Sequence, residues 1–155
     1  MMSPSTDGRM LRRALIAVGA IGITGTSLDL VMERHWDNLE QLIPWPALAA
    51  LAVAVALIAV RPSASRLRIA RVLCLAVCLL ALVGVWRHVT ANYEAAPLDF
   101  RFAARWDAIS EPVRWWLAAT KTVGPSPPLA PGVLAQAALA LLAAAHRHPV
   151  SVRAN

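Results

Sequence analysis

Two short polar segments, each beside a long apolar run, carry the side chains that could do chemistry. They place carboxylates, imidazoles and amides within a few residues of one another, and a single glutamine interrupts the last apolar run. We call these side chains the candidate polar cluster: Asp29, Glu33, His35, Gln41, His88, Asn92, Glu94 and Gln136.

Three kinds of role are open for the candidate polar cluster. Imidazole and carboxylate groups suit zinc, iron or copper, so His35, His88 and Glu94 are candidate ligands of a divalent metal. The same groups could relay a proton or a substrate, or they could form a hydrogen-bonded network that fixes helix packing. The sequence contains no HExxH-type metal motif, no recognisable Ser-His-Asp arrangement and no phosphate-binding loop. It therefore predicts no particular cofactor and leaves the catalytic residues, if any, unknown.

The elements that would position this cluster are long and apolar. The chain is 58% hydrophobic and 15% charged, whereas a soluble domain averages about 45–50% and roughly 25%. Because about 20 apolar residues cross a hydrocarbon core, we predict an all-α integral membrane four-helix bundle. The alternative, a soluble all-α core, would have little polar surface. The predicted spans form a single membrane domain of residues 1–155: 13–32, 42–60, 69–88 and 129–146.

Positive charge is divided unevenly between the two predicted sides of the membrane. One side has six basic residues and eight acids. Because loops rich in Lys and Arg stay in the cytoplasm, we predict a bacterial inner-membrane protein with both termini cytoplasmic. For the first span the alternative is a cleaved signal peptide at residues 1–25. The cytoplasmic side has one acid, Asp7, and nine arginines: Arg9, Arg12, Arg13, Arg61, Arg66, Arg68, Arg71, Arg147 and Arg153.

Mostly small residues recur at heptad spacing in two of the predicted spans, and such stripes let helices approach closely. They predict that Asp29 and His88 face the bundle interior near its outer boundary, together with Gln136. The stripe of the first span is Gly19, Gly22, Thr26, Asp29 and Glu33. The stripe of the third span is Cys74, Val77, Ala81, Gly84 and His88.

The predicted outer loop, residues 89–128, is too long to be a plain connector. Ser110 as N-cap, Pro112 in the first turn and Gly124 as a stop indicate a helix within it. We predict an amphipathic helix that lies on the outer membrane face between the third and fourth spans. Its apolar side would contain Trp106, Ile109, Val113, Trp116 and Leu117.

Three motifs in the chain are GVWRHVTANYE, PPLAPG and ERHWDNLEQLIP. They resemble an uncharacterised family of small multi-pass inner-membrane proteins of bacteria, which carry GxxxHxxxNxE and PxLAPG-like motifs. The resemblance covers roughly Leu28 to Pro149. The chain departs from the family after Glu94, where AAPLDF replaces a further acid, unless Asp99 substitutes for it. The resemblance singles out His35, Gln41, Pro44, His88, Asn92, Glu94, Pro131 and Gly132.

We therefore expect a multi-pass membrane protein that acts through its outer face as an accessory or binding subunit. The alternative is a small membrane enzyme, or a metal-handling or transport protein, that uses the His and carboxylate groups at the outer boundary. The expected partners are the lipid bilayer and either other membrane subunits or further copies of this chain. Nucleic acid is not expected, because the basic residues flank apolar runs and form no polar face.

Overall fold

The computed structural model describes residues 6–146, and within this range every regular element is helical. The predicted all-α class is confirmed for these residues. The α-helices are α1 (Thr6–Met32), α2 (Leu39–Leu42), α3 (Pro44–Ala59), α4 (Ala64–Ala95), α5 (Glu111–Ala119) and α6 (Ala130–Ala145).

Among the described residues, three helical segments are long and apolar enough to cross a membrane: Thr6–Met32, Leu39–Ala59 and Ala64–Leu98. They correspond to the first three predicted spans. The fourth predicted span, 129–146, corresponds to α6, which is also apolar but has only 16 residues.

The chain divides into two compact units. One comprises the described residues up to Leu80 together with those from Val133 onward, and we call it the helical unit. The other is Ala81–Gly132, which we call the aromatic unit.

In the helical unit, α1 packs closely against α6. A Cβ at Gly19 would lie 2.8 Å from Cδ2 of Leu141, and one at Gly22 would lie 3.1 Å from Cβ of Ala137. Both glycines belong to the predicted small-residue stripe. The lack of a side chain at these two positions lets the helix backbones approach, as the stripe predicted.

The prediction that the same face of α1 continues to Asp29 and Glu33 is wrong, since both side chains are exposed. After Thr26, the next buried residue is Leu30. A straight α-helix has 3.6 residues per turn and drifts away from a strict 3.5-residue repeat. Near the end of α1 this drift rotates both carboxylates out of the packed face.

Pro44 is the first residue of α3, a position where proline is favoured because the missing N–H has no intrahelical partner. The helix buries one apolar side and packs on α1. Its bounds agree closely with the predicted span 42–60. The buried residues of α3 are Ala47, Leu48, Leu51, Ala54 and Ile58.

The helix α4 extends beyond the predicted span 69–88 at both ends. At its start, Oγ of Ser63 accepts a hydrogen bond from the backbone N–H of Arg66 at 3.3 Å. At its other end, VTANYEA falls in the predicted outer loop 89–128, yet it is helical and Val89 and Asn92 are buried there. Tertiary packing therefore prolongs the helix, to about 48 Å at 1.5 Å per residue.

The aromatic unit contains the end of α4, two short 3-10 helices (Ala96–Leu98 and Ala103–Ala108) and α5. The core of this unit is small and is made by side chains from all four of these elements and the loop that follows α5. The buried residues of the core are Val89, Ala96, Trp106, Ala118 and Val123.

The start of α5 is as predicted, with Ser110 at the N-cap and proline in the first turn. Its end comes earlier than the predicted stop at Gly124. Lys121 adopts a left-handed φ of 55°, and the N–H of Thr122 donates to the carbonyl of Leu117 at 2.9 Å. This Schellman geometry ends the helix without glycine.

The predicted apolar side of α5 is divided in the structure. Trp106 belongs to a 3-10 helix and is buried, and Ile109 and Leu117 pack on the core. Val113 and Trp116, one turn apart, are instead 46% and 68% exposed. The prediction that these side chains form one lipid-facing side of the helix is therefore wrong, because Trp106, Ile109 and Leu117 pack in the core of the aromatic unit.

Candidate functional site

Asn92, on α4, is fully buried and is bonded entirely to backbone groups. Its Nδ2 donates to the carbonyls of Ala118 at 3.1 Å and Ser126 at 2.7 Å. Its Oδ1 accepts from the N–H of Ser126 at 2.8 Å. Both amide protons and the amide oxygen are thus engaged. The side chain fixes the end of α5 and the following loop to α4.

Gly124 lies directly against this asparagine. Its φ is +76°, and a Cβ there would overlap Oδ1 of Asn92 and come within 2.5 Å of its Cα. Glycine is required here both for its backbone conformation and for space. The sequence pattern singled out Gly124 as a helix stop. It did not predict that the absence of a side chain at Gly124 makes room for Asn92.

One turn earlier on α4, Nδ1 of His88 lies 2.9 Å from the carbonyl oxygen of Pro127. A carbonyl only accepts, so Nδ1 carries the proton in this contact. One further turn back, a Cβ at Gly84 would lie 2.9 Å from Cβ of Pro131. The three positions of the GxxxHxxxN motif therefore contact successive parts of the segment Ala118–Pro131. We call this set of contacts the α4 clamp.

Four aromatic side chains of this unit, Trp86, Trp115, Tyr93 and Trp106, pack ring against ring in a row that we call the aromatic stack. The rings of Trp86 and Trp115 are 5.3 Å apart and 17° from parallel, and those of Trp115 and Tyr93 are 4.3 Å apart at 23°. Trp106 meets the edge of Tyr93 at 5.5 Å and 70°. Both geometries are favourable for aromatic pairs. The stack joins α5 to α4 beside the α4 clamp.

Arg114 lies over this stack, with its Cζ 5.8 Å from the Tyr93 ring centroid and 5.9 Å from that of Trp106. Guanidinium groups at such distances are attracted by the ring faces. Its Nη1 is 3.9 Å from Asp107, which makes a weak ion pair. Arg114 is not among the site residues predicted from the sequence. The signal that could have found it is an arginine next to two tryptophans in VRWW.

Asp99 and Arg101 form an ion pair, and Arg101 also connects this pair to the loop after α5 by a hydrogen bond. Arg101 donates to both carboxylate oxygens, at 3.0 and 2.6 Å, and its Nη2 also donates to the carbonyl of Thr122 at 2.7 Å. The side-chain and backbone hydrogen bonds from Arg101 hold the pKa of Asp99 below its ordinary value. The acid proposed to substitute in the family motif thus has a structural partner.

The first polar segment, after α1, builds a turn. The carbonyl of His35 accepts a hydrogen bond from Nε1 of Trp45 at 2.9 Å. Oε1 of Gln41 accepts from the N–H of Asp37 at 2.7 Å, and the N–H of Gln41 donates to Oδ1 of Asn38 at 3.0 Å. These bonds explain the glutamine and the tryptophan as residues that shape the approach to α3.

The remaining members of the candidate polar cluster are exposed side chains. Asp29 and Glu94 lie on outward positions of α1 and α4, Glu33 lies in the turn after α1, and Gln136 lies on the outward side of α6. In the part of the chain that the structure describes, no group of three or more His, Cys, Asp or Glu side chains is placed to hold a metal ion. The weak metal candidates His35, His88 and Glu94 accordingly gain no shared site within residues 6–146.

The geometry is that of a structural clamp. His88 and Asn92 bond to backbone carbonyls, the aromatic rings pack on one another, and the charged groups pair or stack on rings. Comparison with known protein families, with curated proteins and with solved structures finds no match for this chain.

Proposed function

We propose that this chain is a multi-pass protein of the bacterial inner membrane, with four spans and both termini in the cytoplasm. Three helical segments of sufficient length and hydropathy support this. On α4, Arg68 and Arg87 are about 28 Å apart along the axis at 1.5 Å per residue, close to the roughly 30 Å of a hydrocarbon core. The helix α6 is about 24 Å long, which local thinning of the bilayer accommodates.

In this topology the aromatic unit lies mostly outside the membrane, on the side away from the cytoplasm. We propose that it is a binding platform for another membrane protein, so that the chain acts as an accessory subunit. The observation that carries the proposal is a unit fixed by the α4 clamp and the aromatic stack that nevertheless exposes large apolar side chains. Leu98 is 87% exposed, Phe100 90% and Trp116 68%.

Such residues are typical of protein interfaces. Aromatic side chains are enriched in interface cores and supply most of the binding energy where a partner buries them. A preformed platform also loses little conformational entropy on binding. The alternative of a small enzyme or metal-handling protein has no comparable support, because the candidate histidine and amide of α4 already hold the backbone of the loop.

A photo-crosslinking amino acid in place of Trp116 tests this proposal in intact membranes. Leu79 on α4 is the matched control, since it is 66% exposed and lies within a proposed span. We expect position 116 to form an adduct with one discrete protein and position 79 to form adducts with lipid. Lipid adducts alone at position 116 would refute the binding platform and identify that helix as a membrane-surface anchor.

A further inference from the structure

Gln136 is a polar side chain on the outward face of an otherwise apolar helix. It lies near the middle of α6, about 9 Å along the axis from the first residue, Ala130, at 1.5 Å per residue. Its side chain is exposed, and so are Val133 at 41% and Leu139 at 59%. The opposite face of α6 is packed within the protein: Leu134, Ala137, Ala138, Leu141, Ala144 and Ala145.

Within the described residues, the side-chain carboxamide of Gln136 makes no hydrogen bond. In the membrane topology proposed above, on which this step rests, the amide would lie in the hydrocarbon region. An amide there has no water to bond with and is unfavourable without a polar partner. At mid-helix the short side chain cannot reach the headgroups. A group outside residues 6–146 must therefore satisfy this side-chain amide.

We propose that a second copy of this chain covers this face of α6 and that the two Gln136 side chains pair with each other. A carboxamide carries both a donor and an acceptor, so two identical amides related by a two-fold axis satisfy one another. Every other side chain of α6 is apolar, so the carboxamide of Gln136 is the hydrogen-bonding side chain of this helix. Ala140 and Ala143 are small and let the two helices approach closely.

The test measures association of fluorescently labelled protein in liposomes by energy transfer, as a function of the protein-to-lipid ratio. The wild type is expected to form dimers. Gln136→Leu should need at least a tenfold higher ratio to associate, Gln136→Asn should retain association, and Leu79→Ala should behave as the wild type. Monomeric wild type at every ratio, or unchanged association of Gln136→Leu, would overturn the proposal.

A second measurement keeps Gln136 in place and so does not depend on whether Gln136→Leu folds. Val133→Cys, in a chain with Cys74→Ala and Cys78→Ala, should crosslink between copies, and Leu75→Cys should not. Leu75 is 54% exposed on α4. Equal crosslinking at both positions would contradict an interface on α6. Failure of the chain to insert into liposomes would instead refute the proposed membrane topology.

Discussion

Removal of the Asn92 side chain is the sharpest perturbation of the aromatic unit. Asn92→Ala deletes three hydrogen bonds of 2.7 to 3.1 Å. It leaves the N–H and the carbonyl of Ser126 without their partner, whereas the carbonyl of Ala118 still accepts from the N–H of Lys121 at 3.3 Å. Each buried polar group that loses its partner costs about 1–3 kcal/mol. Because relaxation of the loop and entry of water recover part of this free-energy cost, we expect the free energy of loop opening to fall by about 3–5 kcal/mol.

Hydrogen exchange measures this loss directly. The amide of Thr122 donates to Leu117 and not to Asn92, so its exchange rate reports opening of the loop and not the deleted bond. Since 1.4 kcal/mol is a factor of ten, Asn92→Ala should accelerate this exchange by roughly 10²- to 4 × 10³-fold. The control is Glu94→Ala, an exposed position two residues away. Equal exchange in the two variants would refute the α4 clamp.

Three further predictions concern other contacts of the two units. Gly124→Ala should destabilise the aromatic unit by at least about 2 kcal/mol, because of the left-handed φ and the contact with Asn92; its thermal unfolding in detergent should fall well below that of the wild type. Gly22→Leu should lower the unfolding temperature of the helical unit. Gly25→Leu should not, because a Cβ at Gly25 meets nothing within 4 Å. Equal effects of the two substitutions would argue against close packing of α1 on α6. Asp99 has a lowered pKa in the folded protein, so its stabilising contribution is present above the unfolded pKa of about 3.9 and is lost as the pH falls through the folded pKa. The difference in unfolding temperature between wild type and Asp99→Asn should therefore shrink between pH 5 and pH 3. A difference that does not depend on pH would exclude this linkage.

Much of the helical framework follows from the sequence, because helix length and apolar pattern are local properties. The bounds of α3 and α6 agree with the predicted spans to within two residues. The glycine stripe of α1 predicts where another helix approaches closely, although it does not predict that this helix is α6. The GxxxHxxxN motif also lies on the face of α4 that packs. These features depend on residues three or four positions apart, which a helix always brings onto one side.

The errors arise where tertiary contacts decide. Leu30, not Asp29, continues the packed face of α1, because an α-helix has 3.6 residues per turn whereas a heptad pattern assumes 3.5. The helix α5 ends at a left-handed lysine, a conformation that its side chain does not predict. The outward position of Gln136 could not be deduced either, because α6 is apolar on every side. The contacts of Asn92 join residues 26 and 34 positions apart, and no local pattern specifies them.

In the proposed topology, the aromatic unit lies on the outer side of the membrane. Labelling of single cysteines with a membrane-impermeant maleimide in spheroplasts tests it most directly, again with Cys74→Ala and Cys78→Ala. Phe100→Cys is at a side chain 90% exposed in the aromatic unit, and Ser63→Cys is in the exposed link before α4. We predict labelling of position 100 in intact spheroplasts and of position 63 only after lysis. Labelling of position 63 in intact spheroplasts, or of position 100 only after lysis, would contradict the account.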